Sequence, residues 1–236
     1  MHYGQIIADH TVVDKYDEIP KAYINEVKKM LVHVAGMSHA MGYQNGVNLL
    51  ELLDATYQVT TYSTEPVPTD TDQYLRLGKT GSAGAGTWSQ AVWRESVCTS
   101  FSGQNATGNP YDVFLYAPCW EMTENVPGGT IDPVYNVRWG GDDGTGSIYG
   151  LDSEDEVLTG NPVCMDTYLA AVEYWNGCFS AAGIPTIAVF TTGPVDKNAG
   201  TENGFQRELK HTHVREYVAT NPSTILFDYA DILVHN

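Results

Sequence analysis

The chain is short of positive charge: 12 lysines and arginines stand against 29 aspartates and glutamates, a formal net charge of −17. That shortage excludes nucleic acid as a partner, because gripping phosphates takes a basic face. It also speaks against docking on anionic lipid. Long apolar runs are lacking too. A membrane-spanning helix needs about 20 consecutive apolar residues, and the longest apolar stretches here, such as Ile184 to Phe190, are strand-sized. No membrane insertion is expected. There is no CxxC motif or Cys/His cluster, and the spacing of Cys164 and Cys178 fits no common zinc pattern. The opening Met1-His2-Tyr3-Gly4 is polar and does not read as a secretion leader. With no internal repeat and no linker, residues 1–236 are expected to form a single domain.

What is present reads as a secreted globular protein. Hydrophobic residues make up 42% of the chain, enough for a proper core. Four cysteines, Cys98, Cys119, Cys164 and Cys178, predict two disulfides formed in an oxidising compartment, with three pairings open. Asn105-Ala106-Thr107 is a glycosylation sequon.

Helical and strand patterns alternate along the chain. Asp17 and Pro20 predict a helix start, running to about Met30. Leu31 to Ala35 reads as a buried strand that stops at Gly36-Met37-Ser38-His39. Gly42 to Leu53 reads as a helix buried on most of its circumference. Tyr57 to Tyr62 reads as a strand, Gly78 to Gly86 as a glycine-rich bend, and the stretch from Thr87 past Trp93 as a helix. Val113 to Ala117 is a second buried strand. A long irregular insertion, at about 122–161, is rich in glycine, aspartate and aromatics. Beyond it come a helix from Met165 to Ala182, capped by Asp166 and closed by Gly183, and a strand from Pro185 to Thr191. A helix from Asn203 to Thr220 and a strand from Ile225 to Tyr229 complete the pattern. Such alternation predicts an α/β fold, a parallel sheet with helices on both faces in three α/β/α layers.

In such sheets ligands sit beyond the carboxyl ends of the strands. Three of those ends carry chemistry: Gly36-Met37-Ser38-His39, Pro118-Cys119-Trp120-Glu121, and Thr192-Gly193-Pro194-Val195-Asp196. A strand ending in Gly-x-Ser and turning into a helix resembles the first block of the SGNH (GDSL-type) hydrolases. The glycine-rich bend resembles their second block, and Pro118 to Glu121 occupies the place of the third. Further stretches are similar to a group of secreted bacterial SGNH-like proteins: Asp14 to Pro20, Gly128 to Tyr135, Thr191 to Asp196 and Ile225 to Leu233.

The resemblance implies a flavodoxin-like SGNH-hydrolase fold and a nucleophilic serine at Ser38. It implies an oxyanion hole drawn from the amide of Ser38 or its neighbour and one of Gly81, Gly84 or Gly86, and a cleft lined by His39, Cys119, Trp120 and Glu121. The indole N–H of Trp120 would serve where the family's third-block asparagine is not evident. Met37 stands where the family has an aspartate. The family's base is a histidine preceded three residues earlier by an aspartate. Asp231 and His235, spaced by four, are the candidate pair here, and the family's own C-terminal block is expected to be missing from these residues.

The function expected from the resemblance is extracellular ester hydrolysis, on a small ester or an acylated polysaccharide. The alternative is a catalytically degenerate subunit on the same fold that assembles with copies of itself or binds carbohydrate. No catalytic cofactor is expected. Asp142, Asp143, Asp152, Glu154 and Asp155 read first as a solvated acidic loop, with calcium the alternative their hard oxygens offer, though without EF-hand spacing. His211 and His213, two apart on one helix, are read as solvated surface residues, and Trp175 as core.

Overall fold

A computed structural model describes residues 5–36, 38–63, 66–80, 91–118, 165–195 and 202–235. The expected insertion, Cys119, Trp120, Glu121, Gly81, Gly84, Gly86 and the acidic residues weighed for calcium lie outside that range.

Seven strands form one sheet: β1 (Ile6–Ala8), β2 (Leu31–Gly36), β3 (Val59–Tyr62), β4 (Leu75–Thr80), β5 (Val113–Ala117), β6 (Ile187–Thr191) and β7 (Ile225–Phe227). Their order is β1-β7-β6-β5-β2-β4-β3, and every pairing is parallel. Helices α1 (His10–Val13), α2 (Lys21–Val27), α3 (Ser38–Leu53), α4 (Ala91–Ala106), α5 (Met165–Ala181), α6 (Glu202–Thr220) and α7 (Tyr229–His235) connect or follow them. The architecture is a three-layer α/β/α fold of flavodoxin-like type.

The period of two along the strands divides the core. On β2, Leu31 and Ala35 pack with α4, α5 and α6, while Val34 packs with α3. On β5, Phe114 and Tyr116 face the first group and Ala117 the second. The larger core is aromatic. Trp175 is fully buried, with Phe114 edge-on at 5.0 Å and Tyr116 stacked at 6.1 Å between ring centroids. A disulfide between Cys98 and Cys178 ties α4 to α5 beside this cluster. It is one of the bridges the sequence left open, and Cys119 and Cys164 lie outside the described residues.

Several expectations need correction. Gly78 belongs to strand β4, not to a bend. It pairs with His33 and Tyr62, and the Tyr62 ring covers it so closely that a Cβ there would sit 2.4 Å from Cζ. The first predicted helix is two pieces, a 3-10 turn at Tyr16–Glu18 and α2. Pro20 rather than Asp17 precedes α2. Asp166 is the second residue of α5, inside the helix rather than capping it. Helix α3 begins at Ser38, earlier than expected, and its outer face is not buried: Leu49, Leu52 and Leu53 are 60%, 82% and 80% exposed. Tyr229 starts a helix instead of ending a strand.

His211 and His213 are buried, contrary to the solvated reading. Arg207, Lys210, His211, Val214 and Val218 recur at three- and four-residue steps and are all buried. The histidine therefore lies in the stripe that α6 turns inward, and its position outweighs its polarity.

Candidate functional site

The carboxyl ends of the strands converge where the chain reverses its direction of travel across the sheet. Strand β2 lies between β4 on one side and β5 on the other. The chain goes from β2 to β3 and β4 on one side and then crosses from β4 to β5 on the other, so the ends of β2 and β5 flank the topological switch point where open α/β sheets bind ligands. Gly36 closes β2 with φ +151°, and a Cβ there would lie 2.5 Å from the carbonyl oxygen of Ala117. Only glycine lets the ends of β2 and β5 approach this closely. Ser38 follows two residues later as the first residue of α3, and His39 beside it is half-buried.

Tyrosines lie behind this end of the sheet. The Tyr43 ring, on the second turn of α3, lies 5.5 Å from Phe227 and 5.2 Å from Tyr229. Burial, reinforced by the neighbouring phenols of Tyr168 and Tyr229, holds the Tyr43 hydroxyl well above its usual pKa. Tyr168 is pushed up to about 12 by burial, against the opposing effect of its hydrogen bonds with Thr191. Both phenols therefore stay neutral at physiological pH.

The ends of β6 and β7 are tied together by Asp228, which is buried. Its carboxylate accepts hydrogen bonds from Thr192 Oγ1 at 2.8 Å, from Arg215 Nε at 2.6 Å and from the amide of Asp231 at 3.2 Å. Thr192 Oγ1 in turn accepts from the amide of Ala230 at 2.8 Å. This network fixes the start of α7 and so places Asp231 and His235.

Those two residues face each other one helical turn apart, with His235 Nε2 3.5 Å from Asp231 Oδ1. Asp231 has a closer partner that the sequence did not suggest. His10 Nδ1 lies 2.5 Å from Asp231 Oδ2, and the His10 amide donates to the same oxygen at 2.9 Å. The His10 and His235 rings stack at 4.0 Å. Partial burial works to raise the Asp231 pKa, but the His10 hydrogen bonds and the two imidazoles bring it below the ordinary value. Ser38 stands at the end of β2 and this pair beyond the end of β7, three strand positions away, or roughly 14 Å of sheet. The structure thus brings Asp231 and His235 to each other and to His10.

Another histidine lies within the sheet. His33 on β2 is wrapped by Tyr111, Phe101 and Phe114, and burial lowers its pKa to about 4. Its Nε2 lies 3.3 Å from Thr80 Oγ1. It is a neutral core residue.

Sequence reasoning missed His10, Asp228 and the tyrosines. A three-residue edge strand ahead of Asp9-His10 gives almost no periodic signal. Asp228 fell inside an expected strand. Among the described residues no helix is long and apolar enough to cross a membrane. No family model matches the chain, and no curated protein matches it.

Proposed function

We infer that this protein is an extracellular serine ester hydrolase of SGNH type, acting on a small ester or an acylated polysaccharide. The observation that carries the reading is the place of Ser38. It opens the helix that follows the central strand, at the switch point of a flavodoxin-like sheet. A serine there acts as nucleophile once an imidazole takes its proton, and amide donors at the turn receive the developing oxyanion. The Cys98–Cys178 disulfide supports an oxidising, extracellular setting. The acidic chain favours neutral substrates over phosphorylated ones.

The test is hydrolysis of p-nitrophenyl acetate and of an acetylated polysaccharide by the wild type, Ser38→Ala and His235→Gln. Loss of activity of at least a hundredfold in Ser38→Ala supports the reading. Activity that survives this substitution, or its absence in folded wild-type protein, overturns it. An equal loss in His235→Gln assigns the base to the Asp231 pair, and full activity in that variant assigns it to another histidine.

One observation favours a second reading, a non-catalytic subunit that assembles with copies of itself. The outer face of α3 exposes Met41, Leu49, Leu52 and Leu53, and apolar patches of this kind mark contact surfaces. Light scattering on the wild type and on Leu52→Glu/Leu53→Glu tests it. A dimer converted to monomer supports assembly through α3, and a wild type monomeric at high concentration contradicts it.

A further inference from the structure

The geometry points to a divalent transition-metal site formed by His10, Asp231 and His235, which fastens the amino-terminal segment to the last helix. It rests on the contacts of α1 and α7 alone and not on the hydrolase reading.

One ligand atom from each residue, two imidazole nitrogens and a carboxylate oxygen, falls within 4.8 Å of the other two. Asp231 and His235 are four apart on α7, the spacing that puts two side chains on one helix face. His10 arrives from the other side as the first residue of α1, carried there by the pairing of β1 with β7. The two imidazoles meet opposite oxygens of one carboxylate, His10 Nδ1 2.5 Å from Asp231 Oδ2 and His235 Nε2 3.5 Å from Asp231 Oδ1. Small rotations of three side chains would seat the cation.

Charge and support agree with this assignment. The short contact between His10 Nδ1 and Asp231 Oδ2 is bridged by the proton of the Nδ1–H tautomer or, where Nδ1 carries the lone pair, by a cation. The backbone amide of His10 donates to Asp231 Oδ2 and orients the carboxylate, as outer-shell donors do in metal sites. The side chains of His10 and His235 are 40% and 50% exposed. An ion can enter from solvent and complete its coordination with water.

The donor set selects the ion class. Two nitrogens and one carboxylate suit zinc, nickel, copper or ferrous iron, whereas calcium and magnesium prefer oxygen alone. Bridging α1 to α7 would secure β1, a three-residue strand at the edge of the sheet that, among the described residues, pairs with β7 alone.

The experiment uses the full chain stripped of metal with EDTA and then dialysed. Zinc is titrated by calorimetry, and thermal unfolding is followed with zinc and with calcium. The wild type is expected to bind one equivalent that is lost, or weakened at least tenfold, in His10→Gln and in His235→Gln. Zinc at a hundredfold excess over Kd should raise Tm by roughly 5 °C. His235→Gln, at an exposed helix end, keeps the comparison valid if His10→Gln unfolds. No zinc binding by the wild type, or binding unchanged in His235→Gln, overturns the site. Equal binding of calcium, lost in the same variants, overturns the ion class.

Discussion

Arg215 holds Asp228 from Nε and from a terminal nitrogen, at 2.6 and 3.1 Å, and the carboxylate it neutralises is almost completely buried. The pair joins α6 to the end of β7, and the same carboxylate caps α7. Removing the arginine leaves a buried charge with only a hydroxyl and an amide for company. Arg215→Ala is expected to destabilise the fold by roughly 3 kcal/mol. Urea unfolding of the two proteins checks it, and a difference under about 1 kcal/mol would mean that Asp228 is relieved by water or by protonation.

Two buried histidines predict acid sensitivity well above the carboxylate range. Burial lowers His33 to about 4, and burial together with Arg215, Arg207 and Lys210 lowers His211 to about 3, from an ordinary value of 6.5. The folded state therefore stays neutral at both sites while the unfolded chain takes up protons. Stability is complete above pH 6.5 and falls as pH drops through 6.5 toward those lowered values. Between pH 7.5 and pH 5.0 each histidine should account for about 2 kcal/mol of lost stability. Chemical denaturation at the two pH values, on wild type and His33→Phe, measures it. The loss should shrink by about 2 kcal/mol in the variant.

The Cys98–Cys178 bridge closes a loop of 80 residues across α4 and α5. Constraint of the unfolded chain over that length is worth about 4 kcal/mol. Cys98→Ala/Cys178→Ala should lower the urea midpoint accordingly, with no change in far-ultraviolet circular dichroism at low denaturant. An unchanged midpoint would show that α4 and α5 are held together by their aromatic packing alone.

Gly78 and Tyr62 make a packing test on neighbouring strands. A methyl group at position 78 would enter the Tyr62 ring, so Gly78→Ala should cost roughly 1–3 kcal/mol. Tyr62→Ala removes the obstruction, and adding Gly78→Ala to that variant should cost far less. Additive losses in the double variant would contradict the contact.

These contrasts show what the sequence carries. Buried strands such as Leu31–Gly36 and Val113–Ala117 are continuous apolar runs bounded by turn residues, and they were legible directly. Alternation with amphipathic helices then dictated the parallel three-layer fold. Strand β4 was not legible, because Leu-Arg-Leu-Gly-Lys-Thr is polar and glycine-bearing, and its burial depends on partners on both sides. The inward place of His211 was misread by chemistry, although its spacing from Val214 and Val218 marks the buried stripe. Ser38 was visible as a strand-to-helix turn. The His10 contact was not, since 221 residues separate it from Asp231 and only the β1–β7 pairing brings the two together.

We propose that Ser38 is an activated nucleophile. The most direct test treats the folded protein with a fluorophosphonate and identifies the modified residue by peptide mass spectrometry, beside Ser38→Ala. One phosphonylated site is expected, at Ser38, and it disappears in the variant. No labelling of folded wild-type protein, or labelling that persists in Ser38→Ala, would contradict it and leave assembly through the α3 face as the reading to pursue.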